Sequence, residues 1–98
     1  MFRGRVRHIH FVGIGGIGMS GLAEILRTLE FDVSGSDLKA NDNTRRLEGL
    51  GVRFFEGHRE ENVTAADVVV YSSAIRKDNP EIVRARALEI PSRCLTTN

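Results

Sequence analysis

The 98-residue chain has no tryptophan, two prolines and one cysteine, Cys94. A single thiol excludes an intrachain disulfide and leaves no Cys/His set for structural zinc. There is no apolar run near the twenty residues that a membrane helix needs, and no secretory hydrophobic region. The cytoplasm is therefore the expected compartment. Neither sign of charge dominates: Lys and Arg total 14, Asp and Glu 13, for a net +1. That balance argues against nucleic acid and against an anionic membrane as partner. Internal repeats and low-complexity linkers are also missing.

What is present is the make-up of an ordinary globular domain, 41% hydrophobic and 28% charged. The length allows one domain with its own core but is short for a complete enzyme. Arg3, Arg5 and Arg7 alternate in the opening segment, and three charges make a solvated leader rather than a basic tract. Short apolar segments then alternate with helical patterns, which predicts a parallel sheet covered on both faces. The segments HIHFVG (8–13), FDVSGSD (31–37), VRFF (52–55) and ADVVVYSS (66–73) read as strands. IPSRCL (90–95) is a candidate fifth, edge strand, interrupted by Pro91.

Three helices are expected between them. In the first, Met19, Leu22, Ile25, Leu26 and Leu29 fall on one arc of about 120°, with Ser20, Glu24 and Arg27 opposite. A second carries Leu47 and Leu50, follows the polar cluster KANDN and closes at Gly51. A helical turn is expected around REENV (59–63). The third helix starts at Asn79 as N-cap with Pro80 at its first position, and Arg86 interrupts its apolar stripe.

The first strand runs into Gly13, Ile14, Gly15, Gly16, Ile17 and Gly18, a G-x-G-x-x-G pattern. In such a loop Gly13 allows the sharp turn, and Gly15 lets a diphosphate approach the backbone. Gly18 lets the helix pack close to the strand, while the helix N-terminus faces the anion. Asp37, about twenty residues on at the end of the second strand, suits ribose hydroxyls. With strand order 3-2-1-4-5 the chain reverses between strands one and four, and ligands bind in that crevice. SSAI (72–75) meets the glycine loop there, and its hydroxyls can donate to a phosphate or sugar. Outward along strands two and three, EGH (56–58) brings His58 to where a base would lie. His8 and His10 share a strand face, but no further ligand completes a metal site, so they read as strand residues. No Ser/His/Asp or Cys/His pairing is legible, and no catalytic residue is assigned. These residues imply a nucleoside diphosphate and leave NAD and a uridine diphosphate sugar both open.

The run HIHFVGIGGIGMSGLAEIL (8–26) resembles the opening of the Mur ligases, and the likeness continues through VSGSD, LEGLGVRFFEGH, DVVVYSSAI and NPEIVRARALEIP. Within the family the loop is similar to the branch that adds L-alanine to UDP-N-acetylmuramate in peptidoglycan precursor synthesis. The tripeptide-recycling branch has a loop resembling GICGTFMG instead. The resemblance implies a Rossmann-like UDP-sugar domain over 1–91, with 92–98 an atypical tail. It also implies an ATPase domain and an amino-acid domain that these residues do not contain. The implied substrate site is Gly13, Ile14, Gly15, Gly16, Ile17 and Gly18 at the diphosphate, Ser36 and Asp37 at the ribose, His58 by the uracil, and Ser72, Ser73 and Ala74 on the phosphate and sugar side. In family terms the muramoyl carboxylate is activated by ATP and magnesium as an acyl phosphate, which the L-alanine amine attacks. No G-x-x-x-x-G-K-[ST] segment occurs here, so the implied role is binding of UDP-N-acetylmuramate without catalysis, with no cofactor or metal of its own.

Overall fold

The computed structural model describes residues 6–95. Five strands, β1 (His8–Val12), β2 (Asp32–Asp37), β3 (Arg53–Glu56), β4 (Val68–Ser72) and β5 (Ser92–Leu95), alternate with three helices. The helices are α1 (Ile17–Thr28), α2 (Asp42–Gly49) and α3 (Pro80–Ala87), and a 3-10 turn spans Glu60–Val63. All strand pairings are parallel, in the order β3-β2-β1-β4-β5. The expected doubly wound α/β architecture is therefore the one observed. Ser92–Leu95 form the candidate fifth strand at the sheet edge, with Val69 opposite Ser92 and Ser72 opposite Leu95, so these four residues of the expected atypical tail are part of the sheet. Pro91 costs the sheet nothing because it precedes the strand, and its carbonyl accepts the Val69 N–H at 2.9 Å. Arg3 and Arg5 lie outside the described residues. The backbone N–H of Arg7 is held by Asp67 Oδ2 at 2.9 Å.

The central strand β1 is buried along its whole length, and its alternation sorts two cores. Ile9 and Phe11 face α1 and α2 with Met19, Ala23, Val33, Leu47 and Val52. Val12 faces α3 with Val63, Val69, Ile82 and Ala85. The inward face of α1 is rotated from the expected one. Met19, Ser20 and Ala23 are its buried residues, whereas Ile25 and Leu29 are 58% and 57% exposed. Small Ala23 lets the helix sit down on the sheet, and the Ser20 hydroxyl is satisfied by Ile17 O at 3.1 Å. Arg86 of α3 is exposed.

Asn41 caps α2 reciprocally with Thr44, and Gly51 follows that helix at φ +100. Asn79 caps α3 as expected, its side chain accepting from Glu81 N. Cys94 is exposed on β5. Among the described residues no helix is long and apolar enough to cross a membrane.

Candidate functional site

Parallel strands all end on the same side, so the loops after β1, β2, β3 and β4 meet along one edge of the sheet. The loop after β1 turns at Gly13, where φ is +87, a value that favours glycine. Its amides point inward. Gly13 N and Ile14 N both donate to Ser36 O, at 2.8 and 3.0 Å, and Gly16 N donates to Gly13 O at 3.3 Å. Gly15 N donates to Asp37 Oδ2 at 2.8 Å. The amides open to an anion therefore begin one turn later, at Ile17, Gly18 and Met19. These open α1, whose N-terminus has no side-chain cap.

Two expectations about the glycines change accordingly. A Cβ on Gly15 would lie 2.7 Å from Asp37 Oδ2 and 2.8 Å from Asn41 Nδ2, so its bare face is pressed on protein rather than offered to a ligand. Gly18 is exposed in the first turn of α1, not packed on a strand. The close approach is made by Ile14, fully buried over Gly35, where a Cβ would fall 2.6 Å from Ile14 Cβ. Ile17, by contrast, is 88% exposed.

Asp37 ties the second loop to the first. While one oxygen holds Gly15 N, the other accepts Leu38 N at 2.8 Å. Gly15 O in turn accepts from Asn41 Nδ2 and Asn43 Nδ2, at 3.2 and 2.9 Å, so the start of α2 is laced to the glycine loop.

On the α3 face, β1 and β2 present His8, His10, Ser34 and Ser36, all buried. Over them lies Glu81 of α3, with no exposed surface. Its Oε1 accepts from His10 Nε2 at 2.7 Å and Ser36 Oγ at 2.8 Å. Its Oε2 accepts from Arg59 N at 3.0 Å and Asn62 Nδ2 at 2.8 Å. Burial opposes this charge, but the donors from His10, Asn62 and Ser36 outweigh it and hold the carboxyl below its ordinary range.

The Ser34 hydroxyl bridges His10 Nδ1 at 2.8 Å and His8 Nε2 at 2.6 Å, while His8 Nδ1 reaches Ala65 O at 3.0 Å. One hydroxyl hydrogen cannot serve both rings, so Ser34 can donate to only one of the two imidazoles. His8 itself is pushed below its ordinary value, chiefly by burial. With their ring nitrogens spent inside the protein, His8 and His10 are structural.

Ser36 belongs to the same network. It is fully buried, and its hydroxyl lies between Glu81 and His58 Nδ1, the latter at 2.9 Å. A ribose cannot reach it directly, which corrects the expectation of a ribose contact. His58 follows Gly57, whose N–H is held by Asp37 O at 2.7 Å, so the loop after β3 joins the same edge.

After β4, Ser72 is half-buried and Ser73 and Ala74 are exposed. Ile75 reaches back to 3.2 Å from where a Gly13 Cβ would stand, bringing the first and fourth loops together. An open groove of about 460 Å³ is lined there by Ser73, Ala74, Ile75, Arg76, Lys77 and Asp78. Arg76 is paired with Asp78 at 3.0 Å.

Known proteins with this sequence pattern confirm the class. Residues 8–95 match the model of the Mur ligase family, catalytic domain. The chain belongs to the Mur ligase family. It is 74% identical over 91 residues, 93% of its length, to the UDP-N-acetylmuramate–L-alanine ligase of Sorangium cellulosum. The corresponding ligase of Myxococcus xanthus is 61% identical over 90 residues, 89% of this chain. Among solved structures, the UDP-N-acetylmuramate-alanine ligase of Thermotoga maritima superposes with a TM-score of 0.85 at 44% identity, covering 89% of this chain and 20% of that one. The UDP-N-acetylmuramate:L-alanyl-gamma-D-glutamyl-meso-diaminopimelate ligase of Neisseria meningitides follows at 0.82 and 32%, covering 92% and 29%. The chain spans about a fifth of the length of the two curated relatives, 19% in each case.

In this Mur ligase segment, sequence reasoning missed Glu81, Asn41 and Asn43. A signal for the first was present. Polar residues at alternate positions of two adjacent inner strands, HIH and SGS, mark a polar stripe that must find partners once buried. A glutamate two residues after the α3 cap supplies them.

Proposed function

We propose that this chain is the UDP-N-acetylmuramate-binding part of a ligase that joins L-alanine to that sugar nucleotide in peptidoglycan precursor synthesis. The observation that carries the reading is the convergence of four loops on the uncapped start of α1, in a chain 74% identical to such a ligase. The amides of Ile17, Gly18 and Met19, with the helix dipole behind them, receive the diphosphate. Gly13, Ile14, Gly15 and Gly16 shape that turn and hold it to β2. Asp37 keeps lone pairs free beside its two backbone bonds and accepts from the ribose. His58 meets the uracil, and Ser72, Ser73 and Ala74 face the phosphate and sugar.

ATP and magnesium belong to the whole ligase in this reading, together with L-alanine. The residues here do not fit them: the amides of the glycine loop are bonded to Ser36 O and Asp37, and no lysine lies on it. This chain's part in the reaction is to fix the sugar nucleotide so that its carboxylate is presented to groups elsewhere in the ligase.

Calorimetric titration of the chain tests the proposal. Saturable binding of UDP-N-acetylmuramate, weaker than in a whole ligase, is expected. Binding of NADH with no response to the UDP-sugar would replace the reading with a redox or regulatory NAD module.

A further inference from the structure

Ser36 has one hydroxyl hydrogen and two neighbours within reach of it, Glu81 Oε1 at 2.8 Å and His58 Nδ1 at 2.9 Å. A carboxylate can only accept, so the hydrogen goes to Glu81. His58 must then supply its own Nδ1–H to the Ser36 oxygen. The neutral imidazole consequently carries its proton on Nδ1 and a bare lone pair on Nε2. Among the described residues Nε2 has no hydrogen-bond partner, and the side chain is 12% exposed. Glu81 is held rigidly for this task. His10, Arg59 N and Asn62 fix its two oxygens, and the Asn79 cap fixes its backbone.

We infer that Glu81 is a positioning residue which, through Ser36, holds His58 as the Nδ1–H tautomer, so that Nε2 accepts a hydrogen bond from N3–H of uracil. The inference rests on the uridine reading above and deepens it into a specificity device. Uracil offers an N–H at N3, whereas cytosine has a bare acceptor nitrogen there. A lone pair facing N3 welcomes the first base and opposes the second. Nothing in the glycine loop could make that distinction, because a diphosphate is common to both nucleotides.

The test combines nitrogen-15 NMR of the His58 ring with titrations of UDP and CDP, all on the chain itself. The ligand-free spectrum should show the proton on Nδ1, and a proton on Nε2 would overturn the inference without any variant being made. UDP should bind more tightly than CDP by on the order of tenfold or more, the usual penalty for an unmet buried partner. Equal affinities would overturn the base contact while leaving the diphosphate site standing. No binding of UDP at all would instead overturn the uridine reading, and the base contact with it. Ser36→Ala should reduce the preference to within about threefold and give a mixture of ring tautomers, with UDP still bound. Glu81→Gln keeps an acceptor oxygen for Ser36 and should retain the preference. A preference that survives Ser36→Ala would show that the lock is elsewhere.

Discussion

Asp37 Oδ2 sits 2.8 Å from Gly15 N, so a carboxylate at the end of β2 holds the loop that follows β1. The residue that suits a ribose is thus also a clamp on the glycine turn. Asp37→Ala should lower the unfolding free energy of the ligand-free chain by on the order of 1–3 kcal/mol, as expected for bonds to a charged acceptor. Asp37→Asn, which keeps one oxygen, should lose less. Urea denaturation without nucleotide separates this effect from any change in affinity, and equal stability of all three chains would show that the clamp is idle.

Gly15 and Gly16 should respond differently to a single methyl group. At Gly15 the added Cβ meets Asp37 and Asn41 below 3 Å, whereas at Gly16 the nearest atom is Gly13 O at 3.7 Å. Gly15→Ala is therefore expected to destabilise by about 1–3 kcal/mol through overpacking, and Gly16→Ala by less than about 1 kcal/mol. A thermal melt that ranks them in the opposite order would misplace the tight contact. Gly15→Val, with a branched side chain at the same point, should perturb the fold further.

Glu81→Ala removes the acceptor for four donors in a site closed to water. Stranding His10, Ser36, Asn62 and Arg59 N should cost roughly 3–5 kcal/mol, the range for breaking a buried charged pair. Glu81→Gln should fall between that variant and the parent. Chemical denaturation of the three chains gives the ranking directly.

Acid should weaken the fold in two stages. His8 has a folded value below the ordinary imidazole value, so the unfolded chain takes up its proton first as pH falls below roughly 6.5. Its contribution is present above that point and is lost below it. Glu81 is likewise held low, and its contribution disappears at still lower pH, beneath the ordinary carboxyl value. Both slopes have the same sign. Denaturation midpoints measured downward from neutral pH should decline early and then steepen, and His8→Asn should remove the early decline. A midpoint that rises on mild acidification would reverse the assignment for His8.

The strands and the helix starts at Asn79 and after the glycine loop could be read from spacing, because periodicity and cap residues are local signals, whereas the strand order and the loops at one sheet edge followed from the usual order of such a sheet. The rotation of α1 could not. Ile25 and Leu29 lie on the apolar arc, yet they stay exposed while Ser20 and Ala23 are buried beside Met19, with Leu22 and Leu26 packed against the core. The site was legible as a list of loops but not as a set of contacts. Whether an amide on the glycine loop faces outward depends on Ser36 O and Asp37, which are distant in sequence. Ser36 shows the same limit: the family resemblance implied a ribose contact for it, and its partner Glu81 lies on α3, distant in sequence.

Asn41 uses one side chain twice. Its oxygen caps α2 through Thr44 N, and its nitrogen reaches Gly15 O. The turn that opens α1 is thereby ordered when the chain folds, before any nucleotide arrives. In the proposed reading little conformational freedom is then left to be lost on binding, so affinity at this edge would depend on a residue that need not touch the ligand at all. A substitution at the start of α2 would then register as weaker binding of the nucleotide.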